Sequence, residues 1–149
     1  MGHTFTNLLT HVIFSTKDRA PLICADRKPD LHAYLGGIVR QLGGTALIVN
    51  GTCDHIHMLA LMPATKSTAE CVNRIKVNSS KWMNDKQLRR AFAWQTGYSA
   101  FAVSESNKKR VLAYIAAQEA HHAKHTFQEE LISYLKKHGI TYDERYIWS

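Results

Sequence analysis

Two apolar segments separated by three residues constrain this chain more than anything else in it. Thr45–Gly51 (TALIVNG) and His55–Met62 (HIHMLALM) are rich in strand formers, and Thr52–Asp54 is long enough only to turn the chain back. They predict a hairpin. Side chains at i and i+2 of a strand leave the same face, so His55 and His57 project together, about 7 Å apart along the strand. Two neutral imidazoles held this way are the beginning of a divalent-metal site, because histidine is the commonest metal-binding side chain. The competing reading is structural, since a chain with 9 histidines produces H-x-H by chance. Cys53, two residues before His55, adds a C-x-H-x-H zinc alternative, but no second Cys/His pair completes a tetrahedral set.

Periodicity extends the pattern on both sides of the hairpin. A first strand covers about Asn7 to Ser15 and ends in the charged turn TKDRAP. Pro29 to Gln41 reads as a helix with Leu31, Tyr34, Leu35 and Ile38 on one side, stopped by Gly43-Gly44. Ser67-Thr68-Ala69-Glu70 is a capping box opening a helix to about Asn84, whose buried stripe is Cys71, Ile75 and Trp82. FAWQTGYSAFAVS predicts a strand or a hairpin turning near Thr96-Gly97. A long helix is expected from about Ser106 to Lys124. A second capping box, Thr126-Phe127-Gln128-Glu129, opens a last helix that ends before Gly139, and the tail ITYDERYIWS is aromatic without periodicity.

The order β-α-β-β-α-β-α-α is that of an α+β, ferredoxin-like antiparallel sheet with helices packed on it and added C-terminal helices. With 149 residues, 45% hydrophobic and 21% charged, a single domain over residues 1–149 is expected. No apolar run approaches the roughly 20 residues of a membrane span, and MGHTFTNLLTHVIF lacks the build of a secretion signal. Three cysteines, Cys24, Cys53 and Cys71, cannot all pair and show no C-x-x-C spacing, which fits reduced thiols and a cytoplasmic location.

The net charge of +7 points to a polyanionic partner. It concentrates in Arg74, Lys76, Lys81, Lys86, Arg89 and Arg90, then in Lys108, Lys109 and Arg110. On the middle helix, Asn73, Arg74, Lys76, Ser80 and Lys81 lie opposite the apolar stripe, so Arg74, Lys76 and Lys81 form a candidate phosphate track. Tyr98 and Trp94 are of the kind that stacks on unpaired bases. Core packing is the stronger reading for Trp94, and Trp82 belongs to the core.

On the long helix, Arg110, Tyr114, Gln118, His121 and His125 fall within a sector of about 80°. Val111, Leu112 and Ile115 adjoin it and must face the core. Ala113, Ala116, Ala117, Ala120 and Ala123 form a far side suited to close packing. A lone helical tyrosine is usually a boundary residue with its ring inward and hydroxyl in water. Arg110 one turn back and His121 two turns on change that expectation, because together they suit a phosphate and a deprotonated phenol. His121, His122 and His125 are a weaker metal alternative, with Glu119 and Glu129 the acidic groups nearby.

Histidine–hydrophobic–histidine on a strand, followed by a helix bearing Tyr-x-x-x-Gln, resembles the single-tyrosine HUH transposases of small bacterial insertion sequences. The resemblance extends to their relatives associated with repetitive extragenic palindromes. It runs through HVIFSTKDR, CDHIHMLALMP, AECVNRIKVNSSKW, FAWQTGYSAFAVS, VLAYIAAQEAHH and FQEELISYLKKHGITYDERYIW, six motifs in order over nearly the whole chain. It implies that His55, His57 and Gln118 hold Mg²⁺ or Mn²⁺ and that Tyr114 attacks a DNA phosphate. The product would be a 5′-phosphotyrosine linkage with a free 3′-hydroxyl, on single-stranded DNA folded into a hairpin. It further implies a homodimer in which the tyrosine helix of one subunit is able to complete the other's histidine site, leaving open whether Tyr114 acts in its own chain or across the dimer, with nucleoid association when DNA is bound.

The residue types suit that chemistry. A phenol, with a pKa near 10, leaves more readily than an alkoxide, so its phosphate ester can be reversed to rejoin DNA. Two neutral imidazoles and an amide leave a bound ion its full charge toward the phosphate. Asp54 is placed to orient the His55 ring. Arg74, Lys76, Lys81, Arg110, Tyr98 and His121 are the expected DNA contacts. Two other readings compete: a non-catalytic nucleic-acid-binding protein that retains the fold, and a zinc protein using Cys53, His55 and His57.

Overall fold

A computed structural model describes residues 2–86 and 90–149; Arg89, counted in the basic cluster, lies outside the described residues. Among the described residues the strands and α-helices follow in the order β1 (Leu9–Ser15), α1 (Lys28–Gln41), β2 (Thr45–Gly51), β3 (His55–Leu61), α2 (Thr68–Asn84), β4 (Ser99–Ala102), α3 (Lys108–Ala116), α4 (Gln118–His122) and α5 (Phe127–Lys137). The four strands form one antiparallel sheet in the order β2-β3-β1-β4. This is the α+β, ferredoxin-like arrangement expected from the sequence, with the helices after β4 added to it.

The alternation of β3 decides which groups share a face. Ile56, Met58 and Ala60 turn to α1 and α2, where Val12, Phe14, Leu31, Leu35, Ile38, Cys71 and Ile75 complete the main core. His55, His57 and Leu59 must then turn to the other face, toward α3 and α5. Leu9, Leu59 and Ile115 pack together there, and Phe127, Leu131 and Leu135 of α5 pack on Ile13 and Phe101. The sheet is therefore covered on both sides, and the histidines open under the C-terminal helices.

The hairpin turn is set by a close approach of backbone. A Cβ at Gly51 would stand 2.2 Å from the His55 carbonyl oxygen, so only glycine lets β2 reach the start of β3. Gly43, at φ +94°, supplies the left-handed turn that ends α1. Both predicted helix starts are capped. The Ser67 hydroxyl accepts from the Glu70 amide, and at Thr126 both halves of the capping box with Glu129 form.

Four expectations change. The long helix from Ser106 to Lys124 is broken at Ala117 (φ −96°, ψ 20°), which separates α3 from α4. The Asn50 side-chain amide donates to the Ile115 carbonyl at 2.8 Å and to that of Ala116 at 3.3 Å, taking up acceptors that a continuing helix would use. Among the described residues nothing packs closely on the alanine side, where Ala113, Ala116, Ala117, Ala120 and Ala123 are exposed, so the close packing it suits is not made within the chain. Between Phe92 and Val103 there is one strand, β4, together with a lone bridge from Trp94 to Thr16, rather than a hairpin at Thr96-Gly97. Trp82 is half-buried and stacks on Tyr34 at 4.8 Å, while Met83 is the fully buried end of the α2 stripe.

Candidate active site

Each strand histidine is oriented from behind. His55 Nδ1 meets Asp54 Oδ1 at 2.7 Å and Thr52 Oγ1 at 3.0 Å, the orienting role expected of Asp54. His57 Nδ1 meets Nε2 of His11, on the neighbouring strand β1, at 2.8 Å. Both Nε2 atoms are thereby aimed at one place beneath α4 and α5. Burial pushes His57 down to about 4, against the opposing effect of Glu130. Burial, with His57 adding to it, pushes His11 down to about 3. Both rings are therefore neutral near pH 7. Their tautomers are linked: whichever ring nitrogen His57 leaves bare, the neutral His11 ring is able to donate or accept in reply.

At the centre stands Glu130, 4% exposed. Its Oε1 accepts from His57 Nε2 at 2.6 Å, and its Oε2 accepts from the Tyr114 hydroxyl. His121 and His122 Nε2 approach Oε2 at 3.1 and 3.2 Å. Burial alone would raise this carboxyl. Hydrogen bonds from His122, His57 and Tyr114 outweigh burial and hold it well below the usual carboxylate range. The Tyr114 phenol is displaced the other way, far above its ordinary value, by burial and by the adjacent carboxylate.

Gln118, at the start of α4 and fully buried, places Oε1 3.4 Å from His55 Nε2 and its amide nitrogen 3.4 Å from Glu130 Oε2. His55, His57, Tyr114, Gln118 and His121 thus lie close together around Glu130, an assembly that the family resemblance, rather than their spacing, implied. A cavity of about 580 Å³ opens beside Tyr114, His121 and Glu130, lined also by His11, Arg110, Tyr134 and Lys137; His55, His57 and Gln118 lie behind its wall. Arg110 is exposed on its wall, in reach of a phosphate that approaches Tyr114.

The other expected DNA contacts lie elsewhere. Arg74 is exposed on α2, while Lys76, Lys81 and Tyr98 line a separate groove of about 580 Å³ between α2 and residues 93–98. Lys76 is a correction. Its ammonium donates to the carbonyls of Gln95, Thr96 and Gly97 at 2.6, 3.1 and 2.8 Å, so it fastens that segment to α2 and has little left to offer DNA. Trp94 is core, with its indole N–H donating to Ser79 Oγ at 2.9 Å.

Among the described residues, the one group of side chains arranged to hold a metal ion is His55, His57, His122 and Glu130, whose ligand atoms lie within 4.8 Å of one another. Cys53 is exposed and outside it, so the Cys-His-His zinc set does not assemble. His125 lies beyond α4, exposed and with its ring 5.0 Å from that of His121, and the alternative trio does not gather its ligand atoms as the first group does. Glu130 and His11 escaped the sequence reading, and His122 entered it only beside His121 and His125 in the weaker metal alternative. A signal for Glu130 existed: Phe127, Leu131 and Leu135 define the buried stripe of α5, and position 130 falls within it at i+3.

Residues 4–118 match the family described as "Transposase IS200 like". The chain belongs to that family of transposases. Several solved structures share its fold, two of which follow. A candidate transposase from Deinococcus radiodurans R1 aligns with a TM-score of 0.63 and 22% identity over 79% of this chain and 96% of its own. A REP-associated tyrosine transposase bound to a REP hairpin aligns with a TM-score of 0.60 and 13% identity over 82% of this chain and 73% of its own. No curated protein matches the sequence. The transposase family match ends at Gln118, so His121, His122 and Glu130 lie beyond it. No helix among the described residues is long and apolar enough to cross a membrane.

Proposed function

We propose that this transposase cleaves and rejoins single-stranded DNA hairpins through a covalent bond to Tyr114. The observation that carries the reading is the meeting of the Tyr114 hydroxyl and the His57 Nε2 on one buried carboxylate within a single chain. The Tyr114 oxygen forms a bond to phosphorus while the bond to the 3′-oxygen breaks, leaving a 5′-phosphotyrosine and a 3′-hydroxyl. The hydroxyl turns from Glu130 to His121, whose Nε2 is 3.4 Å away, and gives up its proton there, while the departing 3′-oxygen takes up a proton from water. Glu130, held so far below the ordinary carboxylate range, is the poorer base. Arg110 and Lys137 on the cavity wall fit the phosphate backbone.

The donor atoms fit a divalent ion, with His55, His57 and Gln118 in place to hold it. Such an ion supplies charge neutralisation at a non-bridging phosphate oxygen. Imidazole donors suit Mn²⁺ better than Mg²⁺. Hairpin DNA as the substrate rests on the family and on the hairpin bound by the REP-associated relative. Arg74, Lys81 and Tyr98, around the α2 groove, are candidates to grip it.

Tyr114→Phe tests the assignment. With Mn²⁺ and a labelled hairpin, the wild type should yield a DNA adduct that survives denaturing electrophoresis. The variant should yield none while binding the hairpin within about threefold of wild type, a change below 1 kcal/mol. An adduct that persists in the variant removes Tyr114 from the chemistry. No adduct from the wild type leaves a protein that binds nucleic acid without cutting it.

A further inference from the structure

We infer that Glu130 and His122, from the C-terminal helices beyond the family match, are metal ligands of this site and make it a transition-metal centre. The inference deepens the metal-bearing part of the proposed function. Three imidazole nitrogens and one carboxylate oxygen lie within 4.8 Å of one another, with His57 Nε2 to Glu130 Oε1 at 2.6 Å and His55 Nε2 to Oε1 at 3.8 Å. Neighbouring ligands around an ion bonded at about 2.1 Å stand roughly 3–3.5 Å apart, so small shifts of these side chains suffice. Glu130 cannot drift from this place readily. It projects from the apolar stripe of α5, which Phe127, Leu131 and Leu135 seat on Ile13 and Phe101.

A buried carboxylate needs partners, and here the partners are metal-ligating types aimed inward. The second oxygen faces the Tyr114 hydroxyl. One carboxylate therefore spans the ion and the nucleophile, and an occupied site fixes the tyrosine as well as the histidines. The set of three imidazoles and a carboxylate selects Mn²⁺, Co²⁺ or Zn²⁺ over Mg²⁺, which prefers oxygen ligands and water.

Metal titration of the full chain without DNA decides this. By calorimetry with Mn²⁺, and by the visible absorption of Co²⁺, the wild type should bind one ion per chain. Glu130→Gln should weaken binding at least tenfold and alter the Co²⁺ spectrum, and His122→Asn should do the same. Circular dichroism and thermal melting of the metal-free variants identify any that fails to fold. His122, with 11% of its side chain exposed against 1% for Glu130, is the safer of the two to replace. Wild-type affinity and an unchanged spectrum in the folded variants would overturn the inference, and so would Mg²⁺ binding as tightly as Mn²⁺. If the wild type forms the DNA adduct while Glu130→Gln binds metal normally, the proposed function stands and this inference falls. If Glu130 governs metal binding but no adduct forms, the reverse holds.

Discussion

His32 on α1 has its Nε2 buried without a hydrogen-bond partner among the described residues, on the α1 side of the sheet. Burial, with Lys28 nearby, pushes its pKa down to about 4 from 6.5. The folded state thus holds this ring neutral where the unfolded chain would protonate it. Between pH 6.5 and 4 the unfolded state binds more protons, so stability falls as the pH is lowered through that window. By pH 5 the loss from this residue is about 1–2 kcal/mol. His32→Leu should remove that loss. The gap in melting temperature between pH 7.5 and pH 5 should narrow in the variant relative to wild type. An unchanged gap would show that His32 does not carry the acid sensitivity.

At the scale of elements, α5 deserves its own test because it carries Glu130 and begins at a complete capping box. Thr126→Ala removes the acceptor for the Glu129 amide and should cost about 1 kcal/mol. In a domain of this size that corresponds to roughly 3 °C in melting temperature. Hydrogen exchange should quicken along Phe127–Lys137 more than in α1 or α2; equal protection throughout would contradict the assigned cap. The elements up to α2 were legible because each has a local signal: alternation in β2 and β3, apolar spacing in α1, a cap at Ser67. The break at Ala117 was not legible, because its cause is the Asn50 amide, which reaches it from β2. Lys76 misled for a similar reason. Its position on the polar side of α2 is that of a phosphate contact, and only the fold brings three carbonyls to it. Glu130 lay inside an apolar stripe, where a charge signals a buried partner, and that partner, β3, lies some seventy residues earlier.

For the whole molecule, the question is whether one chain makes a complete site. Tyr114 and His57 rings lie 5.8 Å apart between centroids, and both side chains bond the same Glu130. The tyrosine therefore already stands beside the histidines of its own chain, whereas the family resemblance led to the expectation of a homodimer with sites shared between subunits. Mixing two inactive variants separates the cases. Tyr114→Phe keeps the histidines, and a His55→Ala/His57→Ala double variant keeps the tyrosine. In a shared-site dimer, half of the mixed dimers' sites would regain both halves, and adduct would reappear to a substantial fraction of the wild-type level. With tyrosine and histidines working in one chain, no subunit in the mixture is whole, and adduct should stay at background at any ratio or concentration. Adduct from the mixture would place the two halves on different subunits and require the α3–α4 segment to reach across an interface.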